Sequence, residues 1–386
     1  MQDFVFPNEQ HVLWTVMIVM YPYITGCVAG AFIVSSLYHV FGLKQLEPIS
    51  RFSLVSSFAF LLFATLPLLV HLGRPERAFN IMITPHFTSA MSGFGFVYLT
   101  YTVIVILEVW FHYRGESVDR YHSPDVKWKA VYYVCLLGCT TRNEETDRID
   151  HKIVKILAAI GIPVACILHG YVGFLFGSIK ANSMWSTPLM FIIFIFSAIV
   201  SGIAVLTFLY LFVNFLKRQK IDQNALNTMV RFLWGFMIIA VVLELMDLLS
   251  VAYEQTEKWS VLKTLITGPL RYTYVIGQIL ICSLGSFLLL AITVLFKLPQ
   301  KLSNFLVFLT SGVLLIQVLL MRWNVVIGGQ LISKSLRGFT SFMPGFLEKE
   351  GILVAAIIFI MPFLILRLYD RLFPFFPASK QNTSRQ

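Results

Sequence analysis

The residues able to do chemistry are few, and they stand in apolar surroundings. In "VVLELMDLLSV", Glu244 and Asp247 lie three apart, which places both carboxylates on one face of a helix. Two acids inside an apolar helix are too costly to be simply solvated, so they suit a proton relay. A static pairing with Arg271 or Arg322 explains them equally well. Glu108 could begin an inward proton path, although snorkelling to the cytoplasmic surface is the simpler reading. His169, in "ILHGYVGFLFGS", stands about ten residues before Lys180, hence ~15 Å below the end of its helix. A packed core histidine is the plain alternative, and an imidazole buried in lipid makes it expensive. Cys27, Cys135, Cys139, Cys166 and Cys282 show no C-x-x-C spacing, which argues against an iron–sulfur cluster or structural zinc in this chain. Cys135 and Cys139 would share a face of a helical segment and read as two buried thiols.

The elements holding these residues are membrane helices. The 386 residues are 57% hydrophobic and only 13% charged, with a mean hydropathy of +0.77. A soluble chain carries about 25% charged residues. Apolar runs recur at 11–42, 50–71, 89–113, 152–179, 188–216, 228–253, 271–297, 302–321 and 351–373, each long enough to cross ~30 Å of hydrocarbon. The fold class is therefore an all-α integral membrane protein with nine transmembrane helices. The segment 126–139, "VKWKAVYYVCLLGCT" with its flanks, is too short to cross; if it did, the count would be ten. The first run is too long for a signal peptide and reads as a retained helix.

The net charge of +10 fits Lys and Arg in cytoplasmic loops and gives no reason to expect a nucleic-acid partner. With the N-terminus outside, 20 of the 30 Lys and Arg fall inside, which supports N-terminus out and C-terminus in. Arg74 and Arg77, in "HLGRPERAF", then face outside, as do the 180–187 loop and the 322–350 connection. The polar tail "SKQNTSRQ" reads as frayed. Small residues in "GCVAGAF" and "SGIAVLTF" mark places where helices can approach closely. Trp185 reads as part of an interfacial aromatic belt.

Six stretches in order, "GCVAGAF", "HLGRPERAF", "SAMSGFG", "LHGYVGFLFGSIKANSMWSTPLM", "SAIVSGIA" and "RWNVVIGGQ", resemble the NrfD/PsrC family of quinone-interacting membrane subunits of polysulfide-reductase-like complexes. The resemblance runs from about Tyr21 to Gln330 and looks closest to the DsrP-like and menaquinone-reductase-like branches. It implies two four-helix bundles, 1–180 with a cytoplasmic loop at 114–151 and 181–321, then an outer-face connection 322–350 and a peripheral C-terminal helix with its tail, 351–386. It also implies menaquinone or another quinone bound near the outer face and no haem or iron–sulfur cluster in the chain. The implied partners are membrane lipid, a four-cluster ferredoxin-like iron–sulfur subunit, and further molybdopterin or multihaem cytochrome subunits. The implied place is the cytoplasmic membrane of a prokaryote, and the implied activity is electron exchange between quinone and the iron–sulfur partner, with a suspected link to proton movement.

On that resemblance Tyr21, His71, Arg74 and His169 become the quinone-binding candidates, with Tyr21 and His169 at matched depth to bracket a headgroup. Tyr21 stands where the polysulfide-reductase branch has a histidine, so that branch's ligation does not carry over. Arg74, Arg77, Trp185 and Arg322 become candidates for the partner interface, although arginines in such a loop also bind lipid phosphates. Glu244, Asp247 and Glu108 are the relay candidates. Two other readings compete. A b-type cytochrome anchor would pair His39 with His112 and His71 with His169 around haem, and a secondary transporter would use the intramembrane acids for translocation.

Overall fold

The computed structural model describes residues 11–86, 88–124, 128–333, 335 and 338–375. Nine helices among these are long and apolar enough to cross a membrane: α1 (Val16–Phe41), α2 (Lys44–His71), α3 (Ala90–His122), α4 (Glu144–Gly177), α5 (Met190–Lys217), α6 (Gln223–Glu254), α7 (Arg271–Leu295), α8 (Gln300–Gly328) and α9 (Ile352–Leu372). The protein is a multi-pass helical membrane protein. Local chemistry fixes several ends. The Thr15 side chain caps α1 by accepting from the Met17 amide, and Gly42 closes it with φ +66°. Asn143 and Thr146 form a reciprocal capping box ahead of three acids in the first turn of α4. Asp222 caps α6 through the amides of Asn224 and Ala225.

α1 packs on α2 and α4, and α3 on α4 and α2. α5 packs on α6 and α8, and α7 on α6 and α8. These are two groups of four, with α9 lying against α2 and α1. The groups meet where α1 and α4 contact α5 and where α1 contacts α8. α1 and α5 are the central helices; the others present Leu, Ile, Val and Phe side chains outward, as lipid contact requires. Close approach is what the small residues provide. A Cβ on Gly30 would stand 2.3 Å from the Ala198 carbonyl oxygen and 2.7 Å from the Gly202 Cα. In a membrane such packing replaces the hydrophobic drive between helices. Ser53 and Ser57 add hydrogen bonds from α2 to the α1 carbonyls of Ala31 (2.6 Å) and Val28 (3.0 Å).

Alternate crossings put loops 72–89, 178–189, 255–270 and 329–351 at one end, the Arg74 end. The 123–143 connection marks the other, the Arg142 end. Three expectations need correction, two of them boundaries. The 114–151 loop shrinks to 123–143, because α3 continues to His122 on ion pairs from Arg114 to Asp150 and from Glu116 to Arg51 and Arg120. The 322–350 connection begins later, since α8 continues through Gly328. Cys135 and Cys139 are exposed, because the helix there covers only Lys129–Cys135 and lies against α3. At ~1.5 Å per residue that helix is far too short to cross. The polar tail lies outside the described residues.

Candidate functional site

A layer of buried polar side chains lies two to three turns from the Arg74 end. Its centre is Arg322 on α8, which is 0% exposed. Its Nη2 donates to His169 Nε2 on α4 at 2.9 Å and to Ser197 Oγ on α5 at 2.6 Å, and the guanidinium carbon sits 3.8 Å from the Phe194 ring centroid. A guanidinium has only donors, so His169 Nε2 must accept and the imidazole is the neutral tautomer with its proton on Nδ1. That Nδ1–H and the Arg322 Nε–H are both buried without a partner. Among the described residues, no carboxylate lies within ion-pair distance of Arg322. On α1, Gly26 leaves the space that His169 and Ser201 fill; a Cβ there would lie 3.3 Å from His169 Cε1.

A second string begins on α6. Gln278 donates from Nε2 to Glu244 Oε1 and accepts at Oε1 from Asn324 Nδ2 at 2.7 Å. Both amides stand in π-helical segments, Arg271–Leu284 of α7 and Asn324–Gly328 of α8. Such i→i+5 turns are rare and recur at functional sites. One turn nearer the surface, Asp247 accepts from Thr187 Oγ1 at 2.5 Å, and Lys258 Nζ donates to the Ser186 carbonyl at 3.2 Å. Thr187, Glu244, Asp247, Lys258 and Tyr274 line a cleft of ≈ 60 Å³. That is room for about two waters. The arrangement can therefore donate hydrogen bonds to an acceptor in the apolar layer and exchange protons with water from the Arg74 end.

Residues 5–334 match the profile of the family described as polysulphide reductase, NrfD. The chain belongs to the NrfD family. This NrfD chain is 30% identical over 321 residues to a selenate reductase subunit of Mesobacillus selenatarsenatis, covering 81% of the chain and 73% of that relative. It is 23% identical over 232 residues to an Hdr-like menaquinol oxidoreductase integral membrane subunit of Archaeoglobus fulgidus, covering 60% of the chain and 50% of the relative.

The fold brings some of the expected site residues together and separates others. Glu244 and Asp247 do share one cleft, and among the described residues neither is paired with an arginine. Tyr21 and His169 face different neighbours. Tyr21 packs edge-on against Phe94 of α3 at 5.5 Å with its buried hydroxyl unpartnered, whereas His169 stacks on Phe194 at 5.9 Å. Tyr21 and Gly26 are five residues apart, about 140° around α1. His71 is held at the rim, its Nδ1 2.8 Å from Glu350 Oε2, which also accepts from Thr15 Oγ1 at 2.5 Å. Burial pushes the Glu350 carboxyl up, but the Thr15 hydroxyl, His71 and the Lys349 charge outweigh it and leave it below its ordinary value. Arg74 precedes the exposed turn Pro75–Arg77 and Arg77 ends it, with Phe79 and Ile83 exposed beside them.

Two expectations are corrected. Arg322 and Trp185 are buried within the chain and offer no surface to a partner; Trp185 donates to the Val325 carbonyl at 2.6 Å and stacks on Trp14. Glu108 does not snorkel: it is 0% exposed, and neither carboxyl oxygen has a partner. Of the two histidine pairs, the fold brings His39 and His112 together and gives His71 and His169 separate partners. The His39 and His112 rings touch edge-on at 5.4 Å between centroids, while His71 and His169 bond to Glu350 and Arg322. Gln278 and Asn324 carry no signal in the sequence, and Ser197 stands out there only as a small residue that lets helices approach closely. The clue available was Arg322 itself, a cation following "VLLM" with no acid within a turn on either side.

Proposed function

We propose that this NrfD chain is the quinone-interacting membrane subunit of a multi-subunit respiratory oxidoreductase. It exchanges electrons between menaquinone, or another quinone, and a separate ferredoxin-like iron–sulfur subunit seated at the Arg74 end. Family membership supports the reading, as does the menaquinol oxidoreductase name of the Archaeoglobus relative. The selenate reductase subunit name of the Mesobacillus relative supports a larger complex, and in this reading a molybdopterin or multihaem subunit handles the terminal substrate. The Arg74 end is the outer face of a prokaryotic cytoplasmic membrane in this reading.

The observation that carries it is the Arg322–His169 pair with its two unpartnered donors. A quinone headgroup presents two carbonyl oxygens, which need donors where water is absent. His169 Nδ1–H and Arg322 Nε–H are such donors, and the Tyr21 hydroxyl is a third in the first bundle. A bound quinone supplies the two-electron, two-proton redox chemistry. The chain holds the headgroup, and the uncompensated positive charge of Arg322 favours electron density on the bound oxygen. Glu244 and Asp247 hold and pass protons along the cleft to the outer water, with Lys258 at its mouth. Arg74 and Arg77 present guanidinium forks to carboxylates on the partner, and His71 with Glu350 fixes the rim beside them.

Substituting His169→Ala tests this. The complex assembles, and quinone-linked electron transfer is lost. Retained turnover at normal quinone affinity would remove His169 from the site.

A further inference from the structure

The opposite half of the first bundle contains titratable groups that the quinone site does not use. Glu108 on α3 lies in the membrane interior, fully buried, with both oxygens unpartnered. An ionised carboxylate without hydrogen bonds is prohibitively costly there, so the side chain holds a proton. Arg114, the nearest arginine along α3, is already engaged with Asp150 at 2.8 Å. One helical turn from Glu108 towards the Arg142 end, on the same face, stands His112. Its ring contacts His39 of α1 edge-on at 5.4 Å, and His39 Nε2 is buried without a partner. His151, near the start of α4, lies within electrostatic reach of both rings and is exposed, with Nδ1 held by the Asp147 carbonyl at 2.8 Å. Glu108 is buried, His112 and His39 are half-buried, and His151 is exposed.

We infer that Glu108, His112, His39 and His151 form a proton-exchange path from the membrane interior to the surface at the Arg142 end. Each imidazole takes a proton on one nitrogen and releases one from the other, and the Glu108 carboxyl is the inner terminus. The Glu108–His112 step spans one helical turn, roughly 6 Å, which one water bridges. The other charged or titratable neighbours are Tyr101 on α3, within electrostatic reach of Glu108 and with its hydroxyl 3.4 Å from Ser57 Oγ, Arg51 on α2, Tyr38 on α1, and Tyr113 with the Arg114–Asp150 pair. Arg51 is bonded to Glu116, and Arg114 to Asp150, so neither cation is free to fix the Glu108 carboxylate. The path deepens the quinone reading by giving the subunit a proton route to its other face. It is testable without quinone.

The test is infrared spectroscopy of the full chain in lipid nanodiscs, following the carboxylic acid C=O band during transfer to heavy water. The intact chain shows a band that shifts promptly and is missing in Glu108→Gln. His112→Phe and His39→Phe keep the band and slow its shift by about 10²-fold or more. Equal exchange rates in the histidine variants would overturn the path, as would a Glu108 band that never shifts or no band that Glu108→Gln removes. Should Glu108→Gln fail to fold, the histidine variants decide the matter with carbon-13-labelled glutamate. Because no quinone turns over, failure of the quinone reading leaves this exchange untouched, and loss of the exchange leaves headgroup binding untouched.

Discussion

Replacing Arg322 with methionine should separate binding from folding. The substitution removes a cation that is 0% exposed and that donates to the neutral His169 and Ser197, besides a weak bond to Met321 Sδ at 3.2 Å. Orphaning those two groups costs about 1–3 kcal/mol each. Relief from keeping a guanidinium desolvated returns several kcal/mol. The opposing effects leave folded stability within about 2 kcal/mol of the parent. Binding has no such compensation. A charge-assisted hydrogen bond to the headgroup is worth about 1.5–3 kcal/mol, so losing it weakens quinone binding roughly 10- to 150-fold. The assay is a titration with a menaquinone analogue read by tryptophan quenching, with Trp185 and Trp14 stacked at 5.1 Å near the site. Thermal unfolding of the same samples reports the fold. Unchanged affinity in a folded Arg322→Met protein would refute the assignment and leave Arg322 as a packing residue.

Three further outcomes are expected. Gly30→Ala forces α1 away from α5, since its Cβ would lie 2.3 Å from the Ala198 oxygen, and costs about 1–3 kcal/mol in thermal or denaturant unfolding; an unchanged midpoint would show that the two helices do not cross there. Glu350 is held below its ordinary value of 4.5, so its contribution is complete above that pH and lost as pH falls through the lowered value. The unfolding difference between the parent and Glu350→Gln should therefore be present at neutral pH, about 1 kcal/mol or less for a pair that is a quarter exposed, and should vanish in acid; a difference that grows in acid contradicts it. Arg74→Ala with Arg77→Ala should weaken retention of the iron–sulfur partner on a column, and unchanged stoichiometry after a salt wash would favour lipid phosphate as their ligand.

Hydropathy made the nine spans legible because lipid demands about 20 apolar residues per crossing. The ends were less legible. Arg114, Glu116 and Arg120 continue α3 beyond its apolar run because they find Asp150 and Arg51 on other helices, a pairing that no local pattern records. The small residues of "GCVAGAF" and "SGIAVLTF" did mark the α1–α5 crossing, since only a missing Cβ allows Gly30 to meet Gly202. The acids Glu244 and Asp247 were conspicuous through their cost in an apolar helix. Arg322 was visible but misplaced: it follows a long apolar run and looks terminal, whereas the π-helical extension through Gly328 carries the helix past it. Ser197, Gln278 and Asn324 could not be singled out, because each acquires its role only from a partner 34 to 125 residues away.

The most direct test of the account is a density map of the assembled complex in lipid with quinone added. A headgroup within hydrogen-bonding distance of His169 or Arg322, and an iron–sulfur subunit over the Arg74 end, are expected. A headgroup bound elsewhere, or a bare Arg74 end in an active complex, would contradict it.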